Sequence, residues 1–276
     1  MLRELIHGPV MDSRLYTAER SSHRNADLIF ILSVYLNRAE PDSGYYADAM
    51  GGITQTLRWP DDEWQQFRRT FYNDVTGFFK DRFWLVPPPG YTGLDWPDGR
   101  PTHRPNVKCG LQLSVHEHPA HARIVVNCIY PVPGQAMRSS MSPRSRTGEL
   151  DLGATSFLDK QPVRGEFQMQ EASLHEVGHL LGLSHVSRYR AACNAKDTNA
   201  FACYGTTSWQ RGDLMGWGSR VEAWHAWPWR NRIRYHTGVG GWRAVMTRPA
   251  PQPLTAGSGL DGGMLPGGVG LRDGGI

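Results

Sequence analysis

His175-Glu-Val-Gly-His-Leu-Leu-Gly-Leu-Ser-His185 places three imidazoles and one carboxylate within eleven residues. On a helix, His175 and His179 lie one turn apart on the same face and can reach one ion together. Glu176 points slightly aside, so it can address a water held by that ion without ligating it, as a general base would. Gly182 follows His179 at a distance where a residue lacking Cβ can adopt a left-handed conformation and end the helix. The turn so formed would deliver His185 as a third ligand. Three neutral histidines leave one vertex of a tetrahedral zinc for water, which is the arrangement of a catalytic zinc and not of a structural one. The plainer alternative is an amphipathic core helix that buries Leu174, Val177, Leu180 and Leu181, with its histidines on a solvated face. The added glycine and third histidine weigh against that alternative.

The pattern HExxHxxGxxH resembles the zinc signature of the metzincin clan of metallopeptidases, whose second hallmark is a tight turn carrying a methionine beneath the metal. Gly212-Asp-Leu-Met-Gly-Trp-Gly218 is a glycine-flanked turn centred on Met215, which the resemblance identifies as the Met-turn residue. It implies a mixed α/β fold: a twisted sheet with a backing helix and an active-site helix, then a small C-terminal subdomain with the Met-turn and a final helix. It also implies a Zn2+ cofactor held by His175, His179 and His185, with Glu176 as the catalytic base of peptide-bond hydrolysis. One position departs. Astacin-like and serralysin-like members have a tyrosine two residues after the methionine, where this chain has Trp217. An indole offers only an N–H donor and cannot ligate zinc.

Working outward, the pattern divides the chain into an N-terminal arm (1–26), a metzincin-like catalytic domain (27–248, with parts 27–183 and 184–248) and a disordered Gly/Pro-rich tail (249–276). A length of 276 residues with 39% hydrophobic content suffices for a packed core. The formal charge of +4 is mild. Its densest basic stretch, Arg138 to Arg146, is read as a solvated loop, so no nucleic-acid partner is expected. No run of apolar residues reaches a membrane span, and the N-terminus lacks a secretory signal.

The four cysteines fall into two local pairs. Cys109 and Cys128 flank a presumed hairpin about His118-Pro119 and would face each other across it. Cys193 and Cys203 bracket a polar loop between the third histidine and the Met-turn, where a disulfide would order a wall of the site. The alternative is four reduced thiols. Local disulfides without a signal sequence suggest a secreted bacterial effector or toxin, delivered by a dedicated export machinery and matched by an immunity or inhibitor protein; the alternative is a protein that stays in the cytoplasm. The expected partner in the cleft is a protein or peptide substrate, bound by a monomer. Two other activities suit the same residues: a non-catalytic zinc-stabilised binding module, and an amidase on a cell-wall peptide.

The remaining elements follow from periodicity. Asp27 to Asn37 is a nearly continuous apolar run, expected as the first central strand, covered on both faces. Trp64, Phe67, Phe71, Val75 and Phe78 recur at helical spacing after Pro60-Asp61. Arg82 to Val86 is a short strand, and the odd positions from Cys109 to Val115 alternate as a half-buried one. Leu150 to Leu158 is expected as an edge strand beside the cleft, open to a substrate backbone. Pro228 should interrupt or restart a helix between Ser219 and His236, where His225 is read as a core or surface histidine.

Overall fold

The computed structural model describes residues 3–17, 25–40, 45–47, 53–91, 103–116, 121–128, 139–160, 163–188, 190–194, 196–197, 199–249 and 252–253. Strands β1 (Arg3–Ile6), β2 (Asp12–Thr17) and β3 (Ala26–Arg38) precede a small hairpin of β4 (Tyr45–Ala47) and β5 (Ile53–Gln55). Helix α1 (Asp61–Phe79) leads to β6 (Phe83–Val86), β7 (His103–Arg104), β8 (Val107–His116) and β9 (Ala122–Asn127). Then come β10 (Ser140–Ser142), β11 (Thr147–Asp151), β12 (Phe157–Asp159) and β13 (Met169–Glu171), which runs into helix α2 (Ala172–Leu180). The chain closes with α3 (Ser208–Arg211), α4 (Trp227–Thr237), β14 (Arg243–Val245) and β15 (Gln252–Pro253). The fold is mixed α/β, as expected.

The main sheet has the order β10-β11-β9-β3-β8-β6-β14, with the β1–β2 hairpin joined to β3. Strand β3 is central because it is the longest apolar run, but its two faces differ. Leu28, Phe30, Leu32, Val34 and Leu36 are buried while the residues between them are half-buried, so one face carries the core. Helix α1 lies on that face through Phe67, Phe71, Val75 and Phe79, a strict four-residue repeat. Phe79, and not Phe78, completes the stripe. Asp61, Asp62 and Glu63 occupy its first turn, where carboxylates complement the exposed amide dipoles. Trp229 of α4 stacks on Phe30 at 4.8 Å and donates its indole N–H to the Gly110 carbonyl at 3.0 Å. Pro228 falls in the first turn of α4, where its missing N–H costs nothing. The helix therefore restarts there.

Two expectations about β8 and β9 fail together. The strands do not form a hairpin: both run parallel to β3, β8 along one edge and β9 along the other. Cys109 is level with Leu28, whereas Val126, two residues before Cys128, is level with Arg38. At about 3.3 Å per residue, an offset of twelve positions puts the two cysteines roughly 40 Å apart along β3, far beyond the reach of a disulfide. Both are free and buried, and burial pushes the Cys109 thiol well above its usual range. Symmetry about His118-Pro119 is a local argument, and the pairing was decided by a strand some eighty residues upstream.

The N-terminal segment is also more ordered than an arm. Residues 3–6 and 12–17 form an antiparallel hairpin whose second strand pairs with β3 from Ala26 to Ile31. Met11, Ser13 and Leu15 are buried alternately; a serine in that inward row hid the period-two pattern. The stretch from Leu150 to Leu158 is not one edge strand. Its first residues end β11, which is covered by β10, and a 3-10 turn over Leu152–Thr155 separates them from β12. The Asp151 side chain accepts from the Gly153 N–H at 2.7 Å and begins that turn. Of the tail, only residues up to 249 and the pair 252–253 are described; β15 pairs with β7, and the rest of 249–276 lies outside the described residues, as does His118. Among the described residues, no helix is long and apolar enough to cross a membrane.

Candidate metal centre

Helix α2 ends as its sequence requires. Gly182 adopts φ +97°, the Gly182 N–H donates to the His179 carbonyl and the Leu183 N–H to the Gly178 carbonyl, each at 2.9 Å. This pair of bonds is the Schellman arrangement, which satisfies the last carbonyls while reversing the chain. The reversal brings His185 back to His175 and His179. Nε2 of His179 lies 3.1 Å from Nε2 of His175 and 3.1 Å from Nε2 of His185.

Three ring nitrogens at such distances would ordinarily need protons between them. Here the protons are elsewhere. His175 donates from Nδ1 to the Leu214 carbonyl and His179 from Nδ1 to the Leu183 carbonyl, both at 2.8 Å. In these rings Nε2 therefore carries a bare lone pair directed at the common point. Two nitrogens bound at 2.0–2.1 Å to a tetrahedral ion stand roughly 3.3 Å apart, close to what is observed. Burial, followed by the neighbouring His179 and His185, holds His175 well below its usual titration range, and burial lowers His179. Unprotonated imidazole is the form that ligates. Among the described residues, these three form the one group of histidine, cysteine or carboxylate side chains that could hold a metal ion.

Glu176 is buried beside them, and its Oε2 has no hydrogen-bond partner among the described residues. Desolvation pushes its carboxyl up to about 8, with the Lys160 ammonium opposing that rise. A buried carboxylate oxygen left without a donor is costly unless a ligand or water serves it.

Met215 is fully buried and its turn is tied to the centre from several sides. Leu214 supplies the carbonyl that orients His175, and the Met215 carbonyl accepts from Val186 N–H at 3.1 Å, directly after His185. The methionine sulfur packs against Gly178: a Cβ built there would meet it at 2.7 Å. This explains the glycine inside the HEVGH stretch. Gly178→Ala should gain helix propensity of about 1 kcal/mol but overpack the sulfur of a fully buried methionine. The clash should win by about 1–2 kcal/mol, read as a lower thermal midpoint.

Asp213 organises the turn. Its Oδ1 accepts from Met215 N–H at 2.8 Å and from His225 Nε2 at 3.0 Å, and its Oδ2 from the Trp224 indole at 3.3 Å. His225 is thus a core histidine, fully buried and occupied by a carboxylate. Asp213→Ala should strand two buried donors and one half-buried donor and cost about 3–5 kcal/mol, measured by denaturant unfolding. A variant as stable as the parent would remove Asp213 from this role.

Cys193 and Cys203 form a disulfide, as expected from their bracketing of the loop. Sequence reading missed Tyr204, Gln170 and Lys160. The Tyr204 ring lies 3.9 Å from the His185 ring and 5.0 Å from Trp217. Trp217, in the position where relatives of the resembled clan carry tyrosine, packs on Phe201 at 5.5 Å. Gln170 donates to the Gly216 carbonyl at 2.9 Å, linking β13 to the turn that carries Met215. None of the three belongs to a motif; only the position of Tyr204 next to Cys203 could have drawn attention. No protein-family model, no curated protein and no solved structure matches the chain.

Proposed function

We propose that the chain is a zinc-dependent endopeptidase of metzincin type, with His175, His179 and His185 as metal ligands, Glu176 as general base and Met215 as the Met-turn residue. One observation carries the reading: three converging Nε2 atoms sit beside a buried carboxylate whose Oε2 lacks a partner. A zinc ion held by these imidazoles would acidify a bound water and polarise the scissile carbonyl. Glu176 would take a proton from that water on Oε2 as the water oxygen adds to the scissile carbonyl carbon, and would pass it to the amine nitrogen as the C–N bond breaks. The Leu214 and Leu183 carbonyls keep the His175 and His179 rings turned inward throughout. The surrounding burial keeps bulk water from competing for the Glu176 carboxylate.

The substrate class in this proposal is protein or peptide. The Cys193–Cys203 disulfide supports action outside a reducing cytosol, and the proposal extends to an exported effector or toxin. The test is to incubate the zinc-loaded protein with a diverse peptide mixture and map the new termini. Cuts that a chelator abolishes and added zinc restores are expected. Stoichiometric zinc without a single cut would leave a zinc-held binding module instead.

A further inference from the structure

The three imidazoles are not held alike. His175 and His179 stand on α2, whose backbone sets their spacing. His185 lies beyond the Gly182 reversal and takes its place from contacts with two distant segments. Val186 N–H donates to the Met215 carbonyl at 3.1 Å, and Ser187 N–H donates to the Cys203 carbonyl at 3.0 Å. Cys203 is fully buried, bonded to Cys193, and followed at once by Tyr204 at the end of the 3-10 turn Phe201–Tyr204. The Tyr204 ring lies against His185, centroids 3.9 Å apart and planes 34° apart, and nearly parallel to His175 at 5.9 Å. Trp217 at 5.0 Å and Phe201 beyond it back that ring.

We propose that Tyr204 is a positioning residue of the metal centre: its aromatic face, carried by the loop that Cys193–Cys203 closes, holds the His185 imidazole at the common point and favours the metal-bound form. The inference rests on the metal-centre reading above. Coordination draws electron density out of an imidazole and leaves the ring electron-poor. The electron-rich face of a phenol ring is attracted to such a partner, as it is to a cation. The same contact also restricts ring rotation, so less freedom is lost when the ion binds. The function resides in the ring and not in the hydroxyl, and the disulfide acts through the ring it delivers.

The test measures zinc affinity of the full-length metal-free protein by competition with a chromophoric chelator. Tyr204→Phe keeps the ring and should bind as the parent does. Tyr204→Leu fills similar space without an aromatic face and should bind about tenfold more weakly, the scale of lost support around a ligand. Replacing Cys193 and Cys203 together by alanine should cost a similar factor. Adding Tyr204→Leu to that pair should then cost little more, because both act along one path. Parental affinity in Tyr204→Leu overturns the proposal, and equal losses in the Phe and Leu variants overturn it by assigning the effect to the hydroxyl. If Tyr204→Leu fails to fold, the cysteine pair decides: undiminished affinity without the disulfide overturns the proposal. A parent that binds no zinc overturns the metal centre and this inference with it. A parent that binds zinc but cuts no peptide sinks the peptidase reading alone.

Discussion

Glu176→Ala should keep one zinc per chain and lose about 10²–10⁴-fold of peptide cleavage, the usual contribution of a positioned acid–base group. The two halves of this result come from separate atoms. The metal would be held through Nε2 of His175, His179 and His185, and not through Glu176, so the ligand geometry should survive the substitution. The carboxylate is buried with Oε2 unpartnered, so its removal should not destabilise the fold; it takes away a desolvated acid pushed up to about 8. Thermal unfolding of the metal-free variant should therefore match or exceed that of the parent. Glu176→Gln serves as the isosteric check, since it retains shape but cannot accept the proton. Cleavage at the parental rate in either variant would remove Glu176 from the mechanism.

His179→Ala should lose both metal and activity. Its Nε2 is the central atom of the group, 3.1 Å from each of the other two. Without it, His175 and His185 are left as a two-coordinate site on a buried floor. Metal analysis after dialysis should find no retained zinc. The same variant should lose the stabilisation that zinc confers on the parent by binding the folded state alone. That linkage amounts to about 4 kcal/mol at a thousandfold excess over the dissociation constant, or roughly 10 °C in midpoint for a domain of this size. A zinc-dependent rise in midpoint in His179→Ala equal to that of the parent would show that the ion is held elsewhere.

The two variants separate what the metal centre does from what the carboxylate does. Activity lost with metal retained points to proton transfer, and activity lost with metal points to the site itself. Gly178→Ala tests a third relation, the contact of α2 with Met215, and should change stability while leaving the three candidate ligands in place.

The legible parts of this protein were those whose cause lies within a few residues. The one-turn spacing of His175 and His179, the reversal at Gly182 and the stripe Phe67, Phe71 and Val75 on α1 all follow from the helical repeat and from the conformational freedom of glycine. The strand around Leu28 to Leu36 was legible as an apolar run. So was the restart at Pro228, because a missing N–H acts on its own turn. The Cys193–Cys203 disulfide belongs here too, since it closes a short loop.

Only the tertiary structure decided which strands flank β3, and hence that Cys109 and Cys128 stand on opposite edges of it. It also decided that residues 3–17 join the sheet, that Tyr204 reaches the His185 ring, and that Met215 lies over Gly178. Each of these depends on a partner far along the chain, and residue type marks a strand or a turn without marking what it will meet. Local periodicity acts through backbone geometry shared by near neighbours, whereas pairing and packing are chosen by the total burial that the whole chain can reach. The candidate ligands could be named from eleven consecutive residues, but what holds the third one could be seen only after the chain had folded.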